Sequence, residues 1–326
     1  MLPAGAWIFP DAPVEQVVRI CQLLDEAGFA YAWIGDEALN RDCFVTIGAA
    51  LAATKRIRVG TGITNPYTRH PAMAAAATAT LDELSGGRAL LGYGPGAFAT
   101  LSPMGLRWEH PLTALREAIS IARRLFSGER VDFEGDLFRL RSAQLPYARA
   151  GIEVHMAGRG RHVLELAGEL CDGVLISGKA RFDLPETVAY VHTGAKRSGN
   201  RPRVFYASDV CFDDDSRARS RARQLKVIAG FAQSVKDRLG FTPEIEARIG
   251  RWDQPSAAAA LTDSMLDELA YVGNRGRVGQ QIEADMSRHG IDVFVVNLEA
   301  SLPLSRVGAI AEVVRSAVAG RGGTSG

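Results

Sequence analysis

Short apolar runs alternate with longer segments of helical period along most of the chain. The first apolar run covers residues 4–9, and the helical pattern that follows it stops at Gly28. Eight such strand-then-helix units are predicted, with the last strand at residues 293–297. Apolar strands that each precede a helix are typical of a parallel sheet buried on both faces. Eight units favour a closed (β/α)8 barrel, an α/β fold of the TIM type, over an open sheet.

Two stretches interrupt this repeat. Residues 131–140 alternate between apolar and polar positions, which predicts a hairpin outside the repeat. Residues 216–271 are predicted to be long and helical, with breaks at 241–243 and 252–255. No stretch has the composition of a linker, so we expect one barrel domain with insertions over residues 1–319.

Composition narrows the partners and the compartment. The chain has 326 residues, 47% of them apolar, and a net charge of +1, which gives no basis for a nucleic-acid or membrane partner. Four widely separated cysteines without a CxxC spacing, and no histidine pair at metal-ligand spacing, indicate buried thiols and no metal site. With no signal sequence or membrane span, we expect a soluble cytoplasmic protein.

Two further local patterns concern the surface. The Gly-rich residues 320–326 are predicted to form a disordered tail. One dense run of basic residues predicts a solvated helix face rather than a polyanion site; it consists of Arg217, Arg219, Arg221 and Arg223.

Catalytic groups of such a barrel lie at the carboxyl ends of its strands. Here those ends are rich in glycine and poor in histidine, cysteine and paired acids, which favours a pocket for a large flat cofactor over a hydrolase site. The ends are Phe9-Pro10-Asp11, Asp36-Glu37, Gly62-Ile63-Thr64, Gly94-Pro95-Gly96, Ala157-Gly158-Arg159-Gly160, Ser177-Gly178, Asp209 and Asn297.

The third predicted strand has the most distinctive end. It breaks at Gly60 and Gly62, passes through Asn65-Pro66 and leads into a helix at His70-Pro71. Glycine at a strand end lets a flat ligand approach the backbone, because no Cβ stands in the way. An ordinary strand-to-helix loop has the same spacing, so both interpretations stay open.

The turn from Gly158 to Arg161 follows a strand and opens a helix. Free N–H groups at a helix start, next to two arginines, predict an anion site, although a plain glycine turn has the same pattern.

The pair Asp36 and Glu37 also ends a strand, where a carboxylate could serve in acid–base chemistry. The alternative is that one of them caps the next helix and the other is solvated.

Several motifs together resemble the bacterial-luciferase-like superfamily. Leu81–Arg88 (LDELSGGR), followed by Leu91–Gly96 (LGYGPG), is similar to its signature. Gly62–Pro71 is similar to the coenzyme F420-dependent branch, in particular to the methylene-tetrahydromethanopterin reductases. Met104–Trp108 and Leu164–Gly173 fit the same branch, so the resemblance covers nearly the whole chain.

The resemblance implies a (β/α)8 barrel, often dimeric, that binds a deazaflavin. It places a non-prolyl cis peptide at Gly62–Ile63, behind the deazaflavin ring, and a phosphate site at Gly158–Arg161. The cofactor-binding residues that it implies are Gly62, Ile63, Thr64, Asn65, Gly94, Gly158, Arg159, Gly160, Arg161, Ser177 and Gly178.

Three positions depart from the family pattern. In the family the acid at position 36 is commonly followed by histidine, whereas this chain has Glu37. The pterin reductases carry an acid in the first strand, which we align with Ile8, and another after Gly-Pro-Gly, where this chain has Ala97. The cofactor residues are therefore kept while the acids on the substrate side are changed, and the resemblance does not carry the pterin substrate over.

These features predict an F420-dependent oxidoreductase. It would move a hydride between C5 of the deazaflavin and a C=N or activated C=C bond of a small-molecule substrate, in the reducing direction, with Glu37 as the proton group and Asp36 as the second choice. An FMN-dependent monooxygenase of the same superfamily is the alternative, and a flavin-binding protein without catalysis is a third. We expect a homodimer.

Overall fold

Eight parallel strands form a closed barrel in the computed structural model, which describes residues 2–37, 39–250 and 258–319. In chain order the strands are β1 (Leu2–Phe9), β2 (Phe29–Ile34), β3 (Arg58–Thr61), β4 (Ala89–Tyr93), β5 (Val131–Glu134), β6 (Arg139–Ala143), β7 (Glu153–Gly158), β8 (Gly173–Ser177), β9 (Arg203–Cys211), β10 (Ala270–Val272) and β11 (Val293–Glu299). The order around the barrel is β1-β2-β3-β4-β7-β8-β9-β11, and pairing of β11 with β1 closes it. The predicted (β/α)8 barrel is confirmed.

Helices surround the barrel. They are α1 (Val14–Glu26), α2 (Cys43–Ala53), α3 (Pro71–Ser85), α4 (Phe98–Leu101), α5 (Pro111–Phe126), α6 (Arg161–Leu170), α7 (Leu184–Ser198), α8 (Asp214–Ile228), α9 (Gln233–Arg238), α10 (Pro243–Gly250), α11 (Asp263–Leu269), α12 (Arg275–His289) and α13 (Leu304–Val318). Local sequence sets their ends: Pro71 begins α3, and Gly86 ends it with φ 65°, which glycine adopts without strain. Among the described helices, none is long and apolar enough to cross a membrane.

The insertions follow the predicted pattern with one exception. The hairpin is present as the antiparallel pair β5–β6, and α9 ends before the predicted break at residues 241–243. Strand β10 was not predicted; it is three residues long, too short to show a period, and only extends the sheet beside β9. The predicted break at 252–255 and the predicted tail at 320–326 lie outside the described residues.

Side chains of alternate strand residues fill the barrel. The interior cluster includes Tyr31, Trp33 and Phe205, all nearly inaccessible to water. The indole Nε1 of Trp33 donates to Nδ1 of His155 (3.3 Å), and Nε2 of His155 lies 2.9 Å from Oε2 of Glu153. The barrel is therefore a packed core without a channel, as is usual for the fold.

A charged network closes the amino-terminal end of the barrel. Glu153 bonds Arg58 and Arg203, and Arg203 also donates to the hydroxyl of Tyr31. Burial alone would raise the pKa of Glu153, but these partners and His155 outweigh burial and lower that pKa to about 2. The opposite, carboxyl end of the strands is left for a ligand.

Asp25 fixes the start of β3, the strand whose far end reaches the predicted cofactor site. Its buried carboxylate accepts hydrogen bonds from the backbone N–H groups of Lys55 (2.8 Å), Arg56 (3.1 Å) and Ile57 (2.9 Å). Burial alone would raise the pKa of Asp25, but these N–H donors and the Arg56 charge lower it below its ordinary value. The loop into β3 thus depends on one ionised carboxylate of α1.

We predict that Asp25→Ala lowers the free energy of unfolding by about 2–3 kcal/mol, because it leaves buried N–H donors without acceptors. Since the pKa of Asp25 is lowered by folding, the stabilisation is present at neutral pH and is lost as the pH falls below about 4. Chemical denaturation at pH 7 and pH 3, with the exposed Glu26→Ala as control, measures this. An equal difference between wild type and variant at both pH values would contradict the role of the charge.

Candidate active site

The mouth of the barrel has two halves that follow from the strand order. Strands β3, β4, β7 and β8 are consecutive and carry every predicted cofactor-binding residue. Strands β9, β11, β1 and β2 form the remaining half and carry Asp36 and Glu37 at the end of β2. We call the first group the cofactor half and the second the substrate half.

The end of β3 lies close against β4. The peptide bond Gly62–Ile63 is cis, as expected. A Cβ on Gly62 would lie 2.6 Å from Cβ of Trp33, and a Cβ on Gly94 would lie 1.7 Å from Cδ1 of Ile63. Glycine is therefore required at both positions, and the half-buried Ile63 lies flat over Gly94. The result is a smooth apolar surface suited to one face of a planar ring.

Thr64 and Asn65 continue this surface. The Thr64 N–H donates to the Gly92 carbonyl, and the Thr64 carbonyl accepts from the Gly94 N–H, both at 2.9 Å. The Asn65 side-chain oxygen accepts from two following backbone N–H groups, at 3.0 Å each, which holds the turn. The buried hydroxyl of Thr64 has no hydrogen-bond partner among the described residues, so it is a polar atom that a ligand could satisfy.

Arg159 follows β7 and is the candidate for an anion site. Its guanidinium packs against Gly178, where a Cβ would lie 2.8 Å from the Arg159 Nε. Arg159 is exposed as a residue, but this packing removes part of the water around its guanidinium and lowers its pKa; no carboxylate in the described ranges forms a salt bridge with it. A guanidinium without a counter-ion is suited to bind an anionic ligand.

The turn before α6 adds backbone donors to Arg159. Gly160 precedes the helix, and the first helical hydrogen bond runs from the Leu164 N–H to the Gly160 carbonyl (3.0 Å). No atom lies within 4 Å of the place that a Cβ on Gly160 would occupy. No side chain caps the start of α6, so its first N–H groups have no side-chain acceptor, which favours an anion. Ser177, half-buried, ends β8.

Arg161 differs from Arg159 in where its side chain lies. Its Nε donates to Oε1 of Glu165 (2.7 Å), and its guanidinium lies 5.6 Å from the ring centre of Tyr190. This side chain belongs to the outer layer between α6 and α7. What Arg161 offers to the mouth is its backbone N–H.

Asp36 and Glu37 lie beside the cofactor half, because β2 pairs with β3 and the Gly62 N–H donates to the Ile34 carbonyl (2.7 Å). Asp36 is half-buried and Glu37 is exposed. Neither caps the next helix, since the Asp42 carboxylate accepts from the Val45 N–H (3.0 Å) at the start of α2. The capping part of the alternative is therefore wrong, whereas Glu37 is exposed, as that alternative expected for the second acid. The Asp36 carboxylate is close enough to the Cys43 thiol to interact with it.

A buried ionic cluster in the substrate half was not predicted. Arg223 of α8 donates to Asp209 Oδ1 (2.6 Å) and also bonds Glu299. The Asn297 amide and the Ser220 hydroxyl donate to the same Asp209 carboxylate, at 2.8 Å and 2.6 Å. Burial alone would lower the pKa of Arg223, but the two carboxylates raise it above its ordinary value. The cluster is therefore ionised and internally satisfied.

This cluster corrects the prediction of a solvated arginine face. The side chains of Arg219, Arg221 and Arg223 are only 27%, 24% and 18% exposed, and each forms a salt bridge. Arginines at every second helical position spread around the helix, so one of them must face the barrel. The sequence had already placed Asp209 and Asn297 at strand ends, and this placement could have indicated that a helical arginine pairs with Asp209 there.

The first strand shows which side chains face the mouth. Ile8 is fully buried in the outer layer between sheet and helices, whereas Trp7 and Phe9 belong to the interior cluster. The inward positions of β1 are therefore aromatic, and the side chain of Ile8 does not face the mouth. Phe9 and Ile63 are the half-buried apolar residues packed on the interior cluster, so they form the floor of the mouth.

Metal and thiol chemistry find no support in the described ranges. They contain no group of three or more metal-ligating side chains. All four cysteines are free and buried. Burial raises the pKa of Cys21 and Cys211 to about 12, and burial together with the nearby Asp36 raises the pKa of Cys43. Buried protonated thiols do not act as nucleophiles.

The barrel, the packing of Ile63 against Gly94 and the position of Arg159 beside the start of α6 fit the class of barrel enzymes that bind a large flat cofactor. The chain belongs to the luciferase-like monooxygenase family, whose sequence profile matches residues 2–292.

Its relatives include 5,10-methylenetetrahydromethanopterin reductases. The protein from Methanolobus tindarius is 37% identical over 280 residues, which cover 82% of this chain and 86% of the relative. The one from Archaeoglobus fulgidus is 31% identical, covering 89% and 92%. The structure of a coenzyme F420 dependent tetrahydromethanopterin reductase from Methanopyrus kandleri superposes with a TM-score of 0.88 at 27% identity, covering 98% of this chain and 99% of that one.

Proposed function

We propose that this chain is a coenzyme F420-dependent oxidoreductase. It transfers a hydride between the deazaflavin C5 and a C=N or activated C=C bond of a small-molecule substrate, in the reducing direction. The relatives named above support the cofactor and the reaction type. The observation that carries the proposal is the combination, on neighbouring strands of one mouth, of Ile63 packed against Gly94 with Arg159 beside the start of α6, which no side chain caps.

The residues of the cofactor half fit an extended cofactor with a ring at one end and a phosphate at the other. Gly62, Ile63 and Gly94 would contact the ring, while Arg159 and the N–H groups after Gly160 would hold the phosphate. Reduced F420 supplies the hydride when bound. The protein holds the two reacting carbons in contact, excludes water from the floor at Phe9 and Ile63, and provides a carboxyl group for one proton.

The test of the function is turnover of F420H2 with a panel of imines, enones and pterins. We expect the absorbance of oxidised F420 to return with at least one member. Parallel titration with FMN tests the alternative of a flavin monooxygenase. Tight FMN binding with F420 ignored, or F420H2 binding without oxidation by any panel member, would contradict the proposal.

The anion site predicts a specific loss of affinity. Arg159→Gln should raise the Kd for F420H2 about 10- to 100-fold, because it removes a charge-assisted hydrogen bond worth about 1.5–3 kcal/mol. Arg161→Gln should raise it far less, since the Arg161 side chain is engaged by Glu165.

The exposed Arg201→Gln serves as a control for total charge. Fluorescence titration measures all three variants. Equal losses for Arg159→Gln and Arg161→Gln would show that the Arg161 side chain leaves Glu165 to bind the cofactor.

Glu37 is our first choice for the proton group and Asp36 the second. We expect Glu37→Gln to lower kcat roughly 100-fold or more while leaving the Kd for F420H2 unchanged, because only proton transfer is lost. Asp36→Asn is the matched comparison. If kcat falls only in Asp36→Asn, the role belongs to Asp36, which is half-buried and therefore better shielded from water.

The quaternary structure and the compartment are parts of the same proposal. Helix α2 is apolar on all faces, yet Val45 is 69% exposed, and Met73 of the adjacent α3 is 61% exposed. A helix that is apolar all round is normally buried, which supports a homodimer through this face; sedimentation equilibrium measures the oligomeric state.

The four buried free thiols support a reducing, cytoplasmic compartment.

A further inference from the structure

The substrate half has its own charge arrangement. If F420 occupies the cofactor half, as proposed above, the substrate meets the ends of β9, β11, β1 and β2. On β9 and β11 the residues that face inward are every second one, ending with Asp209 and Glu299. On β1 the inward residue at the mouth is Phe9, which pairs in register with Glu299.

Arg223 is the half-buried cation of this half, and both of its terminal nitrogens are engaged by carboxylates. Asp209 holds one side of its guanidinium and Glu299 the other. Its Cζ lies 5.2 Å from the ring centre of Phe9, so the guanidinium also forms a cation–π contact with this ring. An anionic substrate would have to displace one of the two carboxylates to reach it.

The remaining charges make the half negative. Asp209, Arg223 and Glu299 sum to one negative charge, and Asp36 and Glu37 add two more. Arg219 also approaches Glu299 (3.7 Å), but its main partner is Asp215.

A second cation stands at the edge of this half. The exposed Arg41, on the loop after β2, donates to the Pro10 carbonyl (3.2 Å). With Arg41 included, the named charges of the substrate half still sum to two negative charges, whereas Arg159 of the cofactor half is a cation without a salt bridge among the described residues.

We propose that the substrate half selects an uncharged substrate and rejects carboxylates and phosphate esters, with Glu299 as the specificity-determining residue. Glu299 acts by occupying Arg223, the group that would otherwise bind an anion. Discrimination of this kind comes from an unfavourable term against the wrong ligand rather than from added contacts to the right one. The polarity also keeps the anionic end of the cofactor in its own half.

The test compares one substrate pair across variants. The pair is the best uncharged substrate from the F420H2 panel and its analogue with one added carboxylate. For the wild type we expect kcat/KM to be at least 10-fold lower for the carboxylate. Glu299→Gln leaves Arg223 with one partner and should reduce this ratio at least 10-fold, whereas Glu299→Asp keeps the charge and should keep the ratio.

Control variants separate charge at the site from charge elsewhere. Glu312→Gln removes an exposed carboxylate on α13 that lies 3.6 Å from Arg275, outside the mouth, and should behave as wild type. Asp209→Asn releases Arg223 from its other side and should shift the ratio in the same direction as Glu299→Gln. Thermal unfolding and the Kd for F420H2 identify which variants are folded.

The outcomes distinguish this inference from the proposed function. Failure of the wild type to bind F420H2 overturns the proposed function and this inference with it. F420H2 binding and turnover with equal use of the carboxylate overturns only the inference. A ratio that stays unchanged in folded Glu299→Gln and Asp209→Asn shows that Arg223 does not set the specificity.

Discussion

The packing of large side chains inside the barrel is the constraint on which the rest of this structure depends. Trp33, His155 and Phe205 occupy the axis, and the charged groups around Glu153 close the amino end. The packed side chains block passage along the axis, and the cavity at the amino end is lined by groups already engaged in ion pairs, among them Glu153 and Arg203. The loops at the carboxyl ends are therefore free to vary for chemistry while the interior sets a rigid floor of Phe9 and Ile63.

Strand and helix positions could be predicted well because the repeat is regular. The first and last predicted strands, at residues 4–9 and 293–297, lie within β1 and β11, and the predicted hairpin at 131–140 contains β5. The side on which each strand residue lies could not be read from the sequence. Both faces of a barrel strand are apolar, so the two-residue period carries no contrast. In β1, for example, Ile8 faces the helices while Trp7 and Phe9 face inward, although all three side chains are apolar.

The cofactor side of the site was readable because it relies on backbone and glycine. Gly62 and Gly94 mark positions of close approach directly, without knowledge of side-chain direction. An arginine side chain is long enough to reach several possible partners, so the sequence was less informative about which carboxylate each arginine pairs with. The four-residue spacing of Arg161 and Glu165 was a visible sign that they pair. The pairing of Arg223 with Asp209 and Glu299 joins residues 14 and 76 positions apart, beyond any local rule.

Helix α8 has a place in the fold that bears on how such enzymes diverge. It contributes Arg223 to the substrate half and brings Val227 within 2.9 Å of the place a Cβ on Gly178 would occupy. Yet it is the first of the helices α8 to α11, which are not part of the hydrogen-bonded sheet of eight barrel strands. Sequence drift in this series can remodel the wall that a substrate meets while the barrel hydrogen bonds stay intact. Substitutions that change substrate specificity can thus accumulate in helices that do not hold the barrel together.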